Sequence, residues 1–246
     1  MKKTTLILAF AIAFASTAFG TDLDECFRLN DYFNKSPSET HDMIAEYEGR
    51  ISRNPDDYHS YLALAILNSA LSSPMDNPEK GASEKTVEYS ELFEKREKNN
   101  PIAMTYYGLG CSLVSRDSGN PFRKMKMVKK GIAIFDRAAD LARGQEREWF
   151  VRYMRANFYI NLPSSFKKRE VAIADFEYVR DRCSGQAEIE GYMCNAHYNL
   201  GEIEKSRGNL ETATSHWKAA VEINDRLNLN SREGDKAKEQ LELFGE

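Results

Sequence analysis

Cysteine and histidine are the residue types here best suited to redox or metal chemistry, and their spacing supports neither. Cys26, Cys111, Cys183 and Cys194 form no CxxC, so neither a thioredoxin-like redox centre nor a paired-cysteine zinc site is indicated. An even count permits disulfides, in three pairings. Cys183 and Cys194 are separated by ten residues across a connection between helices, which makes them the candidate pair. Buried free thiols are the alternative. His41, His59, His197 and His216 have no mutual metal-ligand spacing. GxSxG, HExxH, GxxxxGK[ST] and GxGxxG are all missing, so no nucleophile elbow, metalloprotease helix, phosphate loop or dinucleotide turn is indicated. No catalytic residue, metal site or cofactor is expected. Two basic runs remain. Arg123, Lys124, Lys126, Lys129 and Lys130 open one helix, and Lys167, Lys168 and Arg169 open another. They make either a basic rim for an acidic partner or anionic envelope surface, or a solvated face.

Composition bounds what these groups serve. The chain has 246 residues, 41% hydrophobic and 29% charged, which suits one or two globular domains and is too charged for an integral membrane protein. Residues 1–20 read as a secretory signal peptide: Lys2-Lys3, an apolar run from Leu6 to Ala15, then Ala18-Phe19-Gly20 before Thr21. The run is shorter than the ~20 residues a membrane span needs, so cleavage after Gly20 is expected rather than an anchor. The pattern looks bacterial, which places the mature chain in a periplasm or outside the cell. Without Lys2 and Lys3, 32 basic residues face 38 acidic ones, which does not favour nucleic acid.

Helices must position whatever function there is. Residues 21–39 begin irregularly, and Ser38 or Thr40 is the expected cap of a helix ending at Asn54-Pro55. Helix pairs are expected over about 57–100, 103–143, 148–183 and 190–225, with a final helix over 231–244 capped by Ser231. The turns at 72–83 (Pro74, Pro78, Gly81), 115–121 and 161–163 are lengthened, whereas Gly208-Asn209 makes a tight one.

The stretch Cys194–Asp225 shows why the pairs repeat. His197, Leu200 and Gly201 run large, leucine, small; Ala213, Trp217 and Ala220 run small, large, small. Tyr61, Leu64 and Ala65, and Tyr106, Leu109 and Gly110, restate the first pattern; Gly131, Phe135 and Ala138 restate the second. Ala172, Phe176 and Val179 follow more loosely, as do Arg152, Arg155 and Ala156. In this order and spacing, over about residues 40–244, the chain resembles the tetratricopeptide repeat (TPR) family. The resemblance implies an all-α, right-handed α-solenoid of antiparallel helix pairs with flanking capping helices.

The resemblance also implies a site. In the family, the residue after each leading bulky one faces a concave groove; here these are Leu62, Tyr107, Tyr153 and Tyr198. Four residues further along the last two helices stand Asn157 and Glu202. Three tyrosines in register suit a protein or peptide segment; packing between pairs is the alternative. Some relatives clamp a peptide carboxylate with lysine and asparagines. Asn157 matches one such asparagine and Asn199 a second, but Tyr153 stands where the lysine would be, so that activity is not implied. Arg152 and Arg155 occupy normally apolar positions and need acids, with Asp175 or Glu177 the candidates for Arg155 and Asp136 or Asp140 for Arg152. The implied function is an exported, non-enzymatic interaction scaffold with a protein or peptide partner, no nucleic acid and no stable membrane insertion after cleavage. The alternative is an accessory subunit of an envelope solute transporter.

Overall fold

The structure is a computed structural model that describes residues 36–74, 77–186 and 189–244. The expected signal peptide, Cys26 and the start of the irregular segment lie outside them. Among the described residues the regular structure is helical: α1 (Pro37–Arg53), α2 (Tyr58–Ser72), α3 (Ala82–Arg96), α4 (Pro101–Asp117), α5 (Pro121–Ala142), α6 (Glu148–Ile160), α7 (Arg169–Cys183), α8 (Gly191–Ser206), α9 (Leu210–Arg226) and α10 (Arg232–Phe244), with one 3-10 turn at Ser164–Phe166. The helices form consecutive packed pairs, the all-α TPR-like solenoid class that the sequence implies.

Local chemistry explains the ends. α1 is capped by Ser36, two residues before the first of the expected caps. Ser36 Oγ accepts from Glu39 N at 3.3 Å, Glu39 Oε2 accepts from Ser36 N at 2.9 Å, and Pro37 fits the first helical position. This reciprocal box satisfies two helix-end donors, more than Ser38 or Thr40 could do alone. Asn100 Oδ1 accepts from Ile102 N and Ala103 N at 3.0 and 3.1 Å and starts α4 before Pro101. Gly208, at φ +84°, takes the left-handed conformation that closes α8. Arg116 of α4 donates to Ser72 O at 2.6 Å, supplying a carbonyl at the end of α2.

The chain divides inside α5 into two compact units, up to Ala138 and from Ala139. In the first, α2 packs on α1, α3 and α4, and α4 also packs on α3. Leu62, Leu64, Ile66 and Leu67 of α2 and Phe93 of α3 are wholly buried. In the second, successive helices pack in order from α6 to α10, and α10 also reaches α8. The small residues serve close approach. A Cβ on Gly108 would lie 2.7 Å from the Phe135 ring, and one on Gly201 would lie 2.5 Å from Nε1 of Trp217. Trp217 is fully buried and its indole N–H has no partner, so it acts by filling space.

Candidate functional site

In the first unit, the expected groove residues are closed. Leu62 is fully buried and Tyr107 is 6% exposed. The cause is compositional: α2 and α4 are apolar almost all round, and such helices belong in an interior. The Tyr107 hydroxyl donates to Glu91 Oε1, which also accepts from Lys130 Nζ at 2.7 Å. The same ammonium lies 4.6 Å from the Tyr107 ring centre. Burial and the Glu91 carboxylate push the Tyr107 hydroxyl far above its ordinary range, and hydrogen bonds from Lys130 and Tyr107 hold Glu91 below its own. Lys130 is therefore engaged inward and is not a free member of a basic rim.

In the second unit the corresponding residues stay partly exposed. Tyr153 meets Tyr192 edge-on at 4.9 Å, and Tyr192 meets Trp149 at the same distance, so aromatic rings fill the space between α6 and α8. Burial raises the Tyr153 hydroxyl well above its ordinary range, so its proton stays on. Asn157 Nδ2 donates back to Tyr153 O at 2.9 Å, and Asn199 Nδ2 back to Asn195 O at 2.9 Å. Both amides thus turn onto their own helices. Tyr198 lies beside Glu202 and Glu233; burial first, then these carboxylates, raise its hydroxyl. Lys236 of α10 stands 5.8 Å from its ring centre. Glu202 Oε1 is buried and has no hydrogen-bond partner.

Arg155 finds Asp175 as expected, with Nε to Oδ2 at 2.7 Å and an NH2 to Oδ1 at 2.9 Å. Arg152 does not use Asp136 or Asp140. It reaches Glu148, one turn back on its own helix, at 2.6 Å, and shares Asp175 at 3.3 Å. Glu148 also accepts from Gly144 N at 2.7 Å. Asp175 is 1% exposed; burial raises its carboxyl and the two guanidiniums pull it back. Each arginine has acids inside the fold, so the pair is a structural network between α6 and α7.

Cys183 and Cys194 stand as separate buried thiols rather than as the disulfide suggested by their spacing. Cys194 Sγ donates to Ala220 O at 3.4 Å and lies 3.3 Å from Ser231 Oγ, so it belongs to the contact of α8 with α9 and α10. Burial pushes the Cys183 thiol up to about 11 and Cys111 to about 12.

The basic runs belong to different units. In the first, Lys124, Lys126 and Lys129 are exposed, and Arg123 pairs with Glu84 at 3.0 Å. In the second, Lys167 is exposed in a left-handed turn, Lys168 sits 5.0 Å from the Tyr159 ring centre, and Arg169 donates to Ser206.

One contact goes beyond what the repeat spacing indicates. Nδ1 of His197 and Nδ1 of His216 are 3.0 Å apart, so one ring donates while the other accepts. The spacing assigns His197 only the role of a bulky packing residue. The tight turn at Gly208-Asn209 folds α9 back on α8 and brings His216 beside it, a signal that is legible in the hairpin itself. Burial, then the neighbouring His216, lowers His197 to about 4. No group of three or more metal-ligating side chains occurs among the described residues.

No family model and no curated protein sequence matches the chain. Among solved structures it is similar to a thermophilic TPR protein of Thermus thermophilus, at 15% identity and a TM-score of 0.59, covering 88% of this chain and 97% of that one. Consecutive packed helices among the described residues, the small-against-large contacts at Gly108–Phe135 and Gly201–Trp217, and this likeness over nearly the whole of both chains establish that the chain has a TPR-like fold.

Proposed function

We propose that the chain is an exported, non-enzymatic interaction scaffold that docks a protein segment on the α6/α8 face of its second unit, at Tyr153, Asn157, Tyr198 and Glu202. A TPR-like fold generally mediates protein–protein interaction and is typically non-enzymatic. The observation that carries the choice of face is Glu202. A buried carboxylate oxygen without a hydrogen bond is costly, and a donor from a docked segment would relieve it. The partly exposed Tyr198 ring beside it adds flat apolar area with little entropy to lose. The first unit offers no such face, because Leu62 and Tyr107 are buried. Export rests on the pattern of residues 1–20.

The test is capture of partners from the native extract by the wild-type chain and by Tyr198→Ala/Glu202→Ala. Specific partners should be recovered by the wild type and lost, by about tenfold or more, with the variant. Recovery of the same proteins at the same yield by both would refute the assignment of this face.

A further inference from the structure

The start of α5 combines three features that a solvated helix face does not need. Phe122 is 86% exposed, more than any other large apolar side chain among the described residues, and Met125 is 45% exposed. Five basic residues and no acidic one lie between Pro121 and Lys130. Phe122, Met125, Lys126 and Lys129 follow an i, i+3, i+4, i+7 spacing and share one outward strip, while Val128, Gly131 and Phe135 form the buried side.

The charges are also misplaced for helix stability. Arg123 and Lys124 fall in the first turn, where the partial positive charge of the helix end disfavours cations, and that turn holds no acid. Asn120 nevertheless holds it closed, with Oδ1 accepting from Phe122 N at 2.9 Å and Arg123 N at 3.1 Å. Nearby carboxylates neutralise only part of the run. Glu84 takes Arg123, Glu91 takes Lys130 and Asp117 takes Arg116, while Glu88 of α3 is exposed. Lys124, Lys126 and Lys129 remain exposed without an ion pair among the described residues.

We propose that this strip attaches the protein to an anionic lipid surface, with Phe122 and Met125 entering the interface and Lys126 and Lys129 meeting lipid phosphates. An acidic protein partner would explain the lysines but not the outward Phe122. No helix among the described residues is long and apolar enough to cross a membrane, so the attachment is peripheral. The surface lies in the first unit and does not depend on the docking face proposed above.

Cosedimentation of the full chain with vesicles tests this. Vesicles of phosphatidylcholine and phosphatidylglycerol in equal parts should bind the protein, pure phosphatidylcholine should not, and high salt should release it. Phe122→Ser should lower the partition about fivefold and Lys126→Gln/Lys129→Gln about tenfold. These side chains are exposed, so the variants should keep the wild-type helical circular dichroism. No binding, equal binding to neutral vesicles, or a Phe122→Ser partition equal to wild type would overturn the proposal. Binding of soluble polyglutamate that ignores Phe122, with no vesicle binding, would replace it with an acidic protein partner.

Discussion

At the scale of single residues, partly buried ionisable groups in this chain are settled by geometry rather than by identity. Arg152 and Arg155 look anomalous among repeat positions, yet Asp175 and Glu148 complete them inside the fold. His197 and His216 yield a prediction about acid. His197 is lowered from 6.5 to about 4, so the fold favours its neutral form. Its contribution is therefore fully present above the unfolded value of 6.5 and is lost as pH falls through about 4. A shift of this size corresponds to about 3 kcal/mol. Urea unfolding should show that loss between neutral pH and the acid end of the window, and His197→Phe should remove most of it. An unchanged acid slope in that variant would show that the histidine pair is not its source.

At the scale of elements, two hairpins rely on a small residue facing a large one. Gly201 lies under Trp217, and an added methyl would sit 2.5 Å from the indole nitrogen. The ring is fully buried and cannot swing away without disturbing α9. Gly201→Ala should therefore cost about 1–3 kcal/mol, the usual range for overpacking. Gly49 in α1 has open space around it. Gly49→Ala should gain about 0.5–1 kcal/mol from helix propensity alone. Thermal or denaturant unfolding of the two variants checks the opposite signs, and a matching loss in both would contradict the close-approach account.

At the scale of the whole molecule, the proposed export bears on the state of the cysteines. Cys111, Cys183 and Cys194 are buried, and their thiols titrate above the ordinary range because burial disfavours the thiolate. Such thiols react slowly even in an oxidising compartment. N-terminal sequencing of the natural protein should begin at Thr21 if the signal is cut where the small residues indicate. A chain that retains Met1 or Lys2 would refute cleavage.

Repeat spacing, read through its resemblance to the TPR family, was enough for the all-α class and its paired helices. Large, leucine and small residues recur at helical spacing in the order that the TPR resemblance ties to antiparallel pairs, and local signals such as Asn100-Pro101 and Gly208 place several ends without help from distant residues. Tertiary structure decided everything that depends on neighbours far along the chain. It closed Leu62 and Tyr107 because α2 and α4 are apolar almost all round, and it left Tyr198 and Glu202 partly exposed. It gave Arg152 to Glu148 and Asp175, kept Cys183 and Cys194 apart, and brought His197 onto His216. Repeat spacing specifies which face of a helix a residue occupies. What lies opposite that face is set by packing, and exposure, charge state and partner follow from it.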